Sequence, residues 1–355
     1  MRIAQLAPLY ESVPPKCYGG TERVVAYLTD ALVELGHEVI LYASGDSLTK
    51  ATLKPICPRA LRLDKRCIDS LAHHLLLTEK VFQEAAGFEV IHSHIDYLAF
   101  PWLRRCRTPH LTTLHGRLDI PDLRPVYREF SDEPVISISN HQRIPLASAH
   151  WQATVYHGLP QDLYAPRIKP GKYLAFLGRI SPEKRVDRAI RIARRAGLPL
   201  KIAAKVDKVD QAYFDVEIRP LLAGREVEFV GEIGETAKQE FLGDAMALLF
   251  PIDWPEPFGL VMIEALACGT PVIAYARGSV PEIIEHGVTG FVVKDEAQAA
   301  QAAGAVSQIS RTHCRQVFEQ RFSAIRMARR YVAIYEGLMA EEEIGARAPN
   351  REVLL

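Results

Sequence analysis

The sequence predicts an α/β protein built as two domains on parallel sheets, and three observations predict it. The chain has 355 residues, more than one hydrophobic core usually organises. Short β-rich runs alternate with helical patterns, as βαβ units require. The alternation breaks at a stretch rich in Pro, Gly and charge, then starts again.

In the first half the β-rich runs fall at residues 3–6, 38–43, 90–93, 110–114 and 134–137. After the first run, residues 21–35 place Val24, Val25, Leu28, Leu32 and Leu35 close to helical period. Thr21 is positioned to cap that helix and Gly36 to end it, and the pair Gly19-Gly20 opens it. The break runs from His157-Gly158-Leu159-Pro160 to Lys169-Pro170-Gly171, with the boundary read near residue 168.

The second half restarts with β-rich runs at 173–177, 200–203, 227–229, 247–250 and 271–274 and a helix over about 182–196. From about residue 312 the pattern is one or two long helices, followed by Glu341-Glu342-Glu343 and a polar tail. The expected organisation is therefore a Rossmann-like domain over 1–168, a second over 169–325, and a helix over 326–355 that packs back on the first and then frays. The expected site is the cleft between the two domains.

Composition limits the function classes. Lys and Arg number 43, as do Asp and Glu, so bulk attraction to nucleic acid is not expected. The six cysteines lie far apart with no C-x-x-C pair, which reads as free thiols in a reducing cytosol. Pro8 and Glu11 interrupt the N-terminal apolar run, and no run approaches the roughly 20 residues that span a bilayer. A cytoplasmic location is expected. Arg188, Arg191, Arg194 and Arg195, with Arg326, Arg329 and Arg330, form basic helix faces that could attract anionic lipid, although solvated faces give the same pattern.

The most informative segment is 250–274, which reads as a strand, a proline-stiffened loop, a helix from about Phe258 or Gly259, a glycine stop and a strand. A helix start at the carboxyl edge of a parallel sheet offers unpaired N–H groups and a positive dipole end, which suits a diphosphate. Glu256 stands just outside that helix and Glu264 lies eight residues on, so two carboxylates can accept from the hydroxyls of a sugar and a ribose. Acids that merely favour the helix dipole would explain Glu256 but not Glu264.

Upstream, Gly178-Arg179-Ile180-Ser181-Pro182-Glu183-Lys184 follows a β-rich run, with Ser181 read as N-cap and Pro182 as the first helical residue. Arg179 and Lys184 flank this turn and are candidates to hold a departing nucleotide diphosphate as its charge grows. The competing reading is a solvated charged turn.

The order of these parts resembles family 4 of the retaining glycosyltransferases: Gly19-Gly20 at the first turn, His115-Gly116 after a strand, G-R-x-S-P-E-K at 178–184, and E-P-F-G-L-x-x-x-E at 256–264. Gly278-Ser279-Val280-Pro281-Glu282 and Gly287-Val288-Thr289-Gly290 agree, so the resemblance covers nearly the whole chain. Ala7-Pro8-Leu9-Tyr10 with Tyr18-Gly19-Gly20-Thr21-Glu22 is similar to a bacterial subgroup that includes the eurekanate-transferring enzyme of avilamycin biosynthesis.

The resemblance implies the two-domain GT-B fold and transfer of a sugar, with retention, from a nucleotide diphosphate donor to an acceptor hydroxyl. It places Arg179 and Lys184 on the diphosphate, Glu264 on the ribose and Glu256 on the donor sugar. Pro257, Phe258, Gly259, Leu260 and Val261 meet sugar and phosphate through their backbone, and Gly231 and Ile233 lie along the base. Gly178 belongs to the same donor site. Gly19 and Gly20, with Thr21 and Glu22, let the N-terminal loop approach the diphosphate, since glycine has no Cβ. His115 falls beside the donor sugar, for positioning and electrostatics rather than proton abstraction.

The expected co-substrate is a nucleotide sugar, a UDP-sugar by family frequency, with no metal; the acceptor (sugar, lipid-linked glycan or small molecule) and the oligomeric state are not legible. Two departures stand out: His157 replaces a usual asparagine, and Ala204-Lys205-Val206 lacks a second glycine cluster. His92, His94 and Asp96 have too few ligands for a metal site, and His73-His74 carries no weight. Rival readings are a nucleotide-sugar 2-epimerase of the same architecture, a non-catalytic sugar-nucleotide binder, and an NAD oxidoreductase, against which the missing G-x-G-x-x-G argues.

Overall fold

The computed structural model describes residues 1–16, 19–169 and 171–347, with side chains to 342. Tyr18 of the glycine-pair motif and the tail from 348 lie outside the described residues. The chain divides into two compact units. The first holds residues 1–138, 143–156 and everything from Ala324; the second holds 139–142 and 157–323. The crossing thus falls at Tyr156/His157, about a dozen residues before the boundary read from the proline- and glycine-rich stretch.

The first unit carries seven strands: β1 (Arg2–Leu6), β2 (Glu38–Ser44), β3 (Thr52–Cys57), β4 (Val90–Ser93), β5 (His110–Thr113), β6 (Val135–Ser137) and β7 (Trp151–Thr154). They form one parallel sheet in the order β3-β2-β1-β4-β5-β6-β7. The second unit repeats the scheme with β8 (Tyr173–Ile180), β9 (Leu200–Val206), β10 (Val227–Gly231), β11 (Ala245–Phe250), β12 (Val272–Tyr275) and β13 (Gly290–Val293), in the order β10-β9-β8-β11-β12-β13. In each sheet the strand order reverses once, between β1 and β4 and between β8 and β11. Ligands bind open α/β sheets at the carboxyl ends of the strands at such a reversal.

Eight of the ten β-rich runs coincide with strands within two residues at each end; the other two, 173–177 and 200–203, extend three residues further, to Ile180 as β8 and to Val206 as β9. Strands β3, β7 and β13 were not read. β3 and β7 are edge strands whose residues are only partly buried, and a half-buried edge carries weak apolar contrast. β13 also lies at an edge, and Gly290 opens it.

Two helix starts differ from expectation. The first helix spans Gly20–Glu34 with Gly19 as N-cap and no side-chain cap, so Thr21 lies inside it. The helix after β8 spans Val186–Ala196, and its N-cap is Arg185 in the left-handed region (φ 57). Ser181-Pro182 therefore opens a turn rather than the helix. That turn keeps Lys184 off the helix and free to reach across the sheet edge. The closing helices are Arg311–Arg321 and Ala324–Arg347, and the latter packs on the Gly20–Glu34 helix in the first unit.

Candidate functional site

In the second unit the turn after β8 and the loop after β11 meet at the reversal point. Asp253 donates its backbone N–H to Glu183 O (2.9 Å), stitching loop to turn. Lys184 is ion-paired to Glu256 with both side chains largely buried. The Lys184 ammonium also lies 4.9 Å from the Trp254 ring centre and 5.7 Å from that of Phe250, a geometry the ring quadrupole favours. Trp254 donates its indole N–H to the same Glu256 oxygen (3.1 Å). A pair so enclosed is costly to break from one side.

The backbone beneath Glu256 is held as firmly. Ser279 N–H donates to Glu256 O (3.0 Å) and Ser279 Oγ to Phe258 O (2.7 Å). Gly278 (φ +55) approaches so closely that a Cβ there would lie 2.3 Å from Glu256 O. Gly259, at φ 80, is the N-cap of the Leu260–Ala267 helix, whose first N–H groups have no partner within the helix. Phe258 is buried against the His157 ring at 4.7 Å. The site residues Glu256, Pro257, Phe258, Gly259, Leu260 and Val261 thus line one loop-to-helix passage.

Glu264 is buried one helical turn deeper. It accepts from Lys238 Nζ (2.7 Å), which lies 3.6 Å from Glu235. Lys238 sits on the Glu235–Gly243 helix after β10, so Gly231, Ile233 and Glu264 share this side of the sheet. Arg179 is the penultimate residue of β8. It donates to Glu183 (2.6 Å) and lies 4.0 and 3.9 Å from Asp207 and Asp210 after β9. Lys205 reaches Asp207 at 2.9 Å where a glycine cluster is missing. Gly178 precedes Arg179, and a Cβ there would lie 3.9 Å from the Phe176 ring, in ordinary contact. Arg179, Lys184, Glu256 and Glu264 are therefore brought to one edge, β10 to β11, of one sheet.

The first unit carries a second cluster at the ends of β4 and β5. His115 Nε2 lies 2.9 Å from His94 Nδ1, and His94 Nε2 lies 2.7 Å from Gln5 Oε1. Since the Gln5 carbonyl only accepts, His94 donates from Nε2 and receives at Nδ1 from His115. Burial pushes His115 down to about 3, so the ring is neutral near pH 7. The His115 backbone donates to the Asp96 carboxyl, which burial raises to about 6, and Asp96 occupies the left-handed region (φ 50). His92 is spent on Tyr335 OH and Thr113 Oγ1, each at 2.7 Å. Among the described residues no group of three or more His, Cys, Asp or Glu side chains could hold a metal ion. The glycine pair stands in this unit too: Gly19 is buried so that a Cβ would lie 2.8 Å from Pro15 Cβ, and Glu22 is buried with its carboxyl raised by desolvation.

Sequence reasoning missed Lys238, Trp254, His94 and Asp96 as partners of the site. Trp254 could have been found, since an aromatic two residues before Glu256 on a proline-stiffened loop is confined to its surroundings. Lys238 had no local signal, because its partner Glu264 is 26 residues away. Three of the four arginines of the Val186–Ala196 helix are paired within the unit: Arg188 with Asp253, Arg191 with Asp187 and Glu296, and Arg194 with Glu226, while Arg195 is exposed.

Residues 165–323 match the family described as glycosyl transferases group 1, and residues 18–150 match glycosyltransferase family 4. The chain is 26% identical over 380 aligned positions to the N-acetyl-alpha-D-glucosaminyl L-malate synthase of Bacillus anthracis, covering 93% of this chain and 97% of that one. Among solved structures it is similar to AviGT4, a glycosyltransferase involved in avilamycin A biosynthesis (TM-score 0.73, 23% identity, 96% and 98% of the chains). It is also similar to Anabaena HepE in complex with UDP-glucose (TM-score 0.69, 19% identity, 96% and 100%). Two parallel-sheet units, a cation pair and two glutamates at one sheet edge, and these likenesses lead to one statement: the chain is a glycosyltransferase of family 4, with the GT-B fold.

Proposed function

We propose that this protein is a retaining glycosyltransferase that takes a sugar from a nucleotide diphosphate donor, a UDP-sugar, and delivers it to an acceptor hydroxyl. The observation that carries the reading is the joining of Lys184, Glu256 and Trp254 at the β8/β11 reversal, with Arg179 one turn away. Two cations at a helix start match the charge of a leaving diphosphate. The structural relative HepE binds UDP-glucose, which supports uridine as the base.

On this reading Arg179 and Lys184 take up the charge that grows on the diphosphate, which makes a metal ion unnecessary. Glu256, released from Lys184 as the diphosphate arrives, accepts from a hydroxyl of the donor sugar, and Glu264 accepts from the ribose. No carboxylate is assigned as a covalent nucleophile. The acceptor oxygen bonds to the anomeric carbon on the face the diphosphate leaves, and its proton passes to a phosphate oxygen. His115, neutral and hydrogen-bonded through His94, orients the sugar without taking a proton.

The test is a titration with UDP, GDP and ADP and their sugar conjugates, read as melting temperature, because a ligand of the native state raises it. A rise with UDP and UDP-sugars that Glu264→Ala and Arg179→Ala abolish supports the donor site. A rise confined to another base replaces the donor. An anomeric product determined by NMR with inverted configuration removes the front-face step.

A further inference from the structure

The Ser70–Gln83 helix has two apolar faces. The inner face buries Leu77, Thr78, Val81 and His74. His74 receives the Leu9 N–H at Nε2 (3.2 Å) and lies against the Tyr10 ring (4.8 Å), which ties the helix to the segment after β1 at the carboxyl edge of the sheet. Among the described residues the outer face is left open to solvent. Leu71, Leu75 and Leu76 are 61%, 57% and 51% exposed, and Ile68 just before the N-cap is 99% exposed. Their spacing of three, four and one places the leucines on one stripe. Single exposed leucines are ordinary; a stripe of them marks an interaction surface.

The charges around the stripe indicate what covers it. The acids of the segment are spent locally: Asp64 holds Arg66, Asp69 caps the N–H groups of Leu71 and Ala72, and Glu79 accepts from Gln83. Arg62 pairs with Glu11. Arg59, Lys65 and Lys80 are exposed and make no ion pair among the described residues. Lys80 stands four residues beyond Leu76, on the same stripe. A second copy seated here about a two-fold axis would bring these cations against one another. Anionic headgroups would neutralise them while the leucines enter the acyl boundary. No described helix is long and apolar enough to cross a membrane, so the geometry is that of a helix lying on the surface.

We propose that the outer face of the Ser70–Gln83 helix docks this protein on an anionic lipid bilayer. Docking brings the carboxyl edge of the first unit's sheet, tied to the helix through His74 and Tyr10, next to the membrane surface. A hydroxyl carried on a lipid headgroup or a lipid-linked glycan is then the acceptor; this acceptor class alone rests on the glycosyl-transfer reading above.

The test is flotation of the full chain with vesicles of phosphatidylcholine alone and of phosphatidylcholine mixed with phosphatidylglycerol. The chain is expected to float with the mixed vesicles and to be released by salt. The variants Leu71→Ser/Leu75→Ser/Leu76→Ser and Lys65→Glu/Lys80→Glu should each weaken flotation by at least about tenfold while keeping the wild-type melting temperature. Absence of flotation with the mixed vesicles overturns the proposal, as does flotation that the triple leucine variant retains. A wild-type dimer that this variant dissociates, without flotation, assigns the face to a second copy instead. A UDP titration of the same preparation keeps the two readings apart: a chain that floats but ignores every nucleotide loses the acceptor class and keeps the docking.

Discussion

Trp254 and Lys184 meet on one carboxylate: the indole N–H donates to the Glu256 oxygen (3.1 Å) that also carries the Lys184 ion pair, and the same ring lies 4.9 Å from the ammonium. The aromatic ring thus fixes both partners of the pair proposed to meet the donor. Trp254→Phe keeps a ring beside Lys184 and removes the hydrogen bond. It should lower kcat/KM by about tenfold, the value of a hydrogen bond to a charged group, with little change in melting temperature. An unchanged kcat/KM would show that Glu256 is held by its backbone alone.

Removing a proposed diphosphate cation should cost far more. Arg179→Ala and Lys184→Ala are each expected to lower kcat/KM by about 100-fold, near 3 kcal/mol of transition-state stabilisation. Steady-state kinetics with the donor found by titration checks this, and an effect below threefold on either removes that residue from the site.

Glu264 and Lys238 form a pair with side chains 5% and 13% exposed. Glu264→Gln should lower stability by about 2 kcal/mol, because it leaves the largely buried Lys238 ammonium with only the longer Glu235 contact (3.6 Å) as counter-charge, and should also abolish the melting-temperature rise with UDP. The double variant Glu264→Gln/Lys238→Met should regain most of the stability and none of the UDP response. If it regains both, Glu264 serves the fold and not the ribose.

His115 and Asp96 respond to pH in opposite directions. An ordinary histidine titrates near 6.5 and burial holds His115 down at about 3, so the unfolded chain takes a proton that the folded chain refuses. That contribution is complete above pH 6.5 and is lost as pH falls, by about 1.4 kcal/mol per unit. Asp96 is raised from 3.8 to about 6, so the folded chain binds the extra proton and stability falls as pH rises through that window. Between pH 4 and 6 the two slopes oppose each other. His115→Gln should therefore make the melting temperature fall with rising pH there relative to wild type, and Asp96→Asn should make it fall with decreasing pH. Parallel profiles for all three proteins would contradict the burial of both groups.

Gly278 tests the backbone support of Glu256. With φ +55 and a Cβ position 2.3 Å from Glu256 O, Gly278→Ala should lower the melting temperature and kcat/KM together. A fully active, stable variant would mean the loop shifts without cost.

The sequence by itself determined the two-unit α/β architecture, because nearly every fully buried parallel strand reads as a short apolar run between helical patterns. It also picked out the two local segments that the structure brings to one sheet edge, since G-R-x-S-P-E-K and E-P-F-G-L-x-x-x-E each put their residues within a few positions of one another. Helix starts were less legible: Ser181-Pro182 has the chemistry of a helix N-terminus, yet the left-handed Arg185 begins the helix and Lys184 stays on the turn. Only the tertiary structure decided which side chains pair. Lys184 meets Glu256 across 72 residues, Lys238 meets Glu264 across 26, and His94 meets His115 from the next strand. Such contacts depend on strand order and on where each loop leaves its sheet, and a single chain's local pattern records neither.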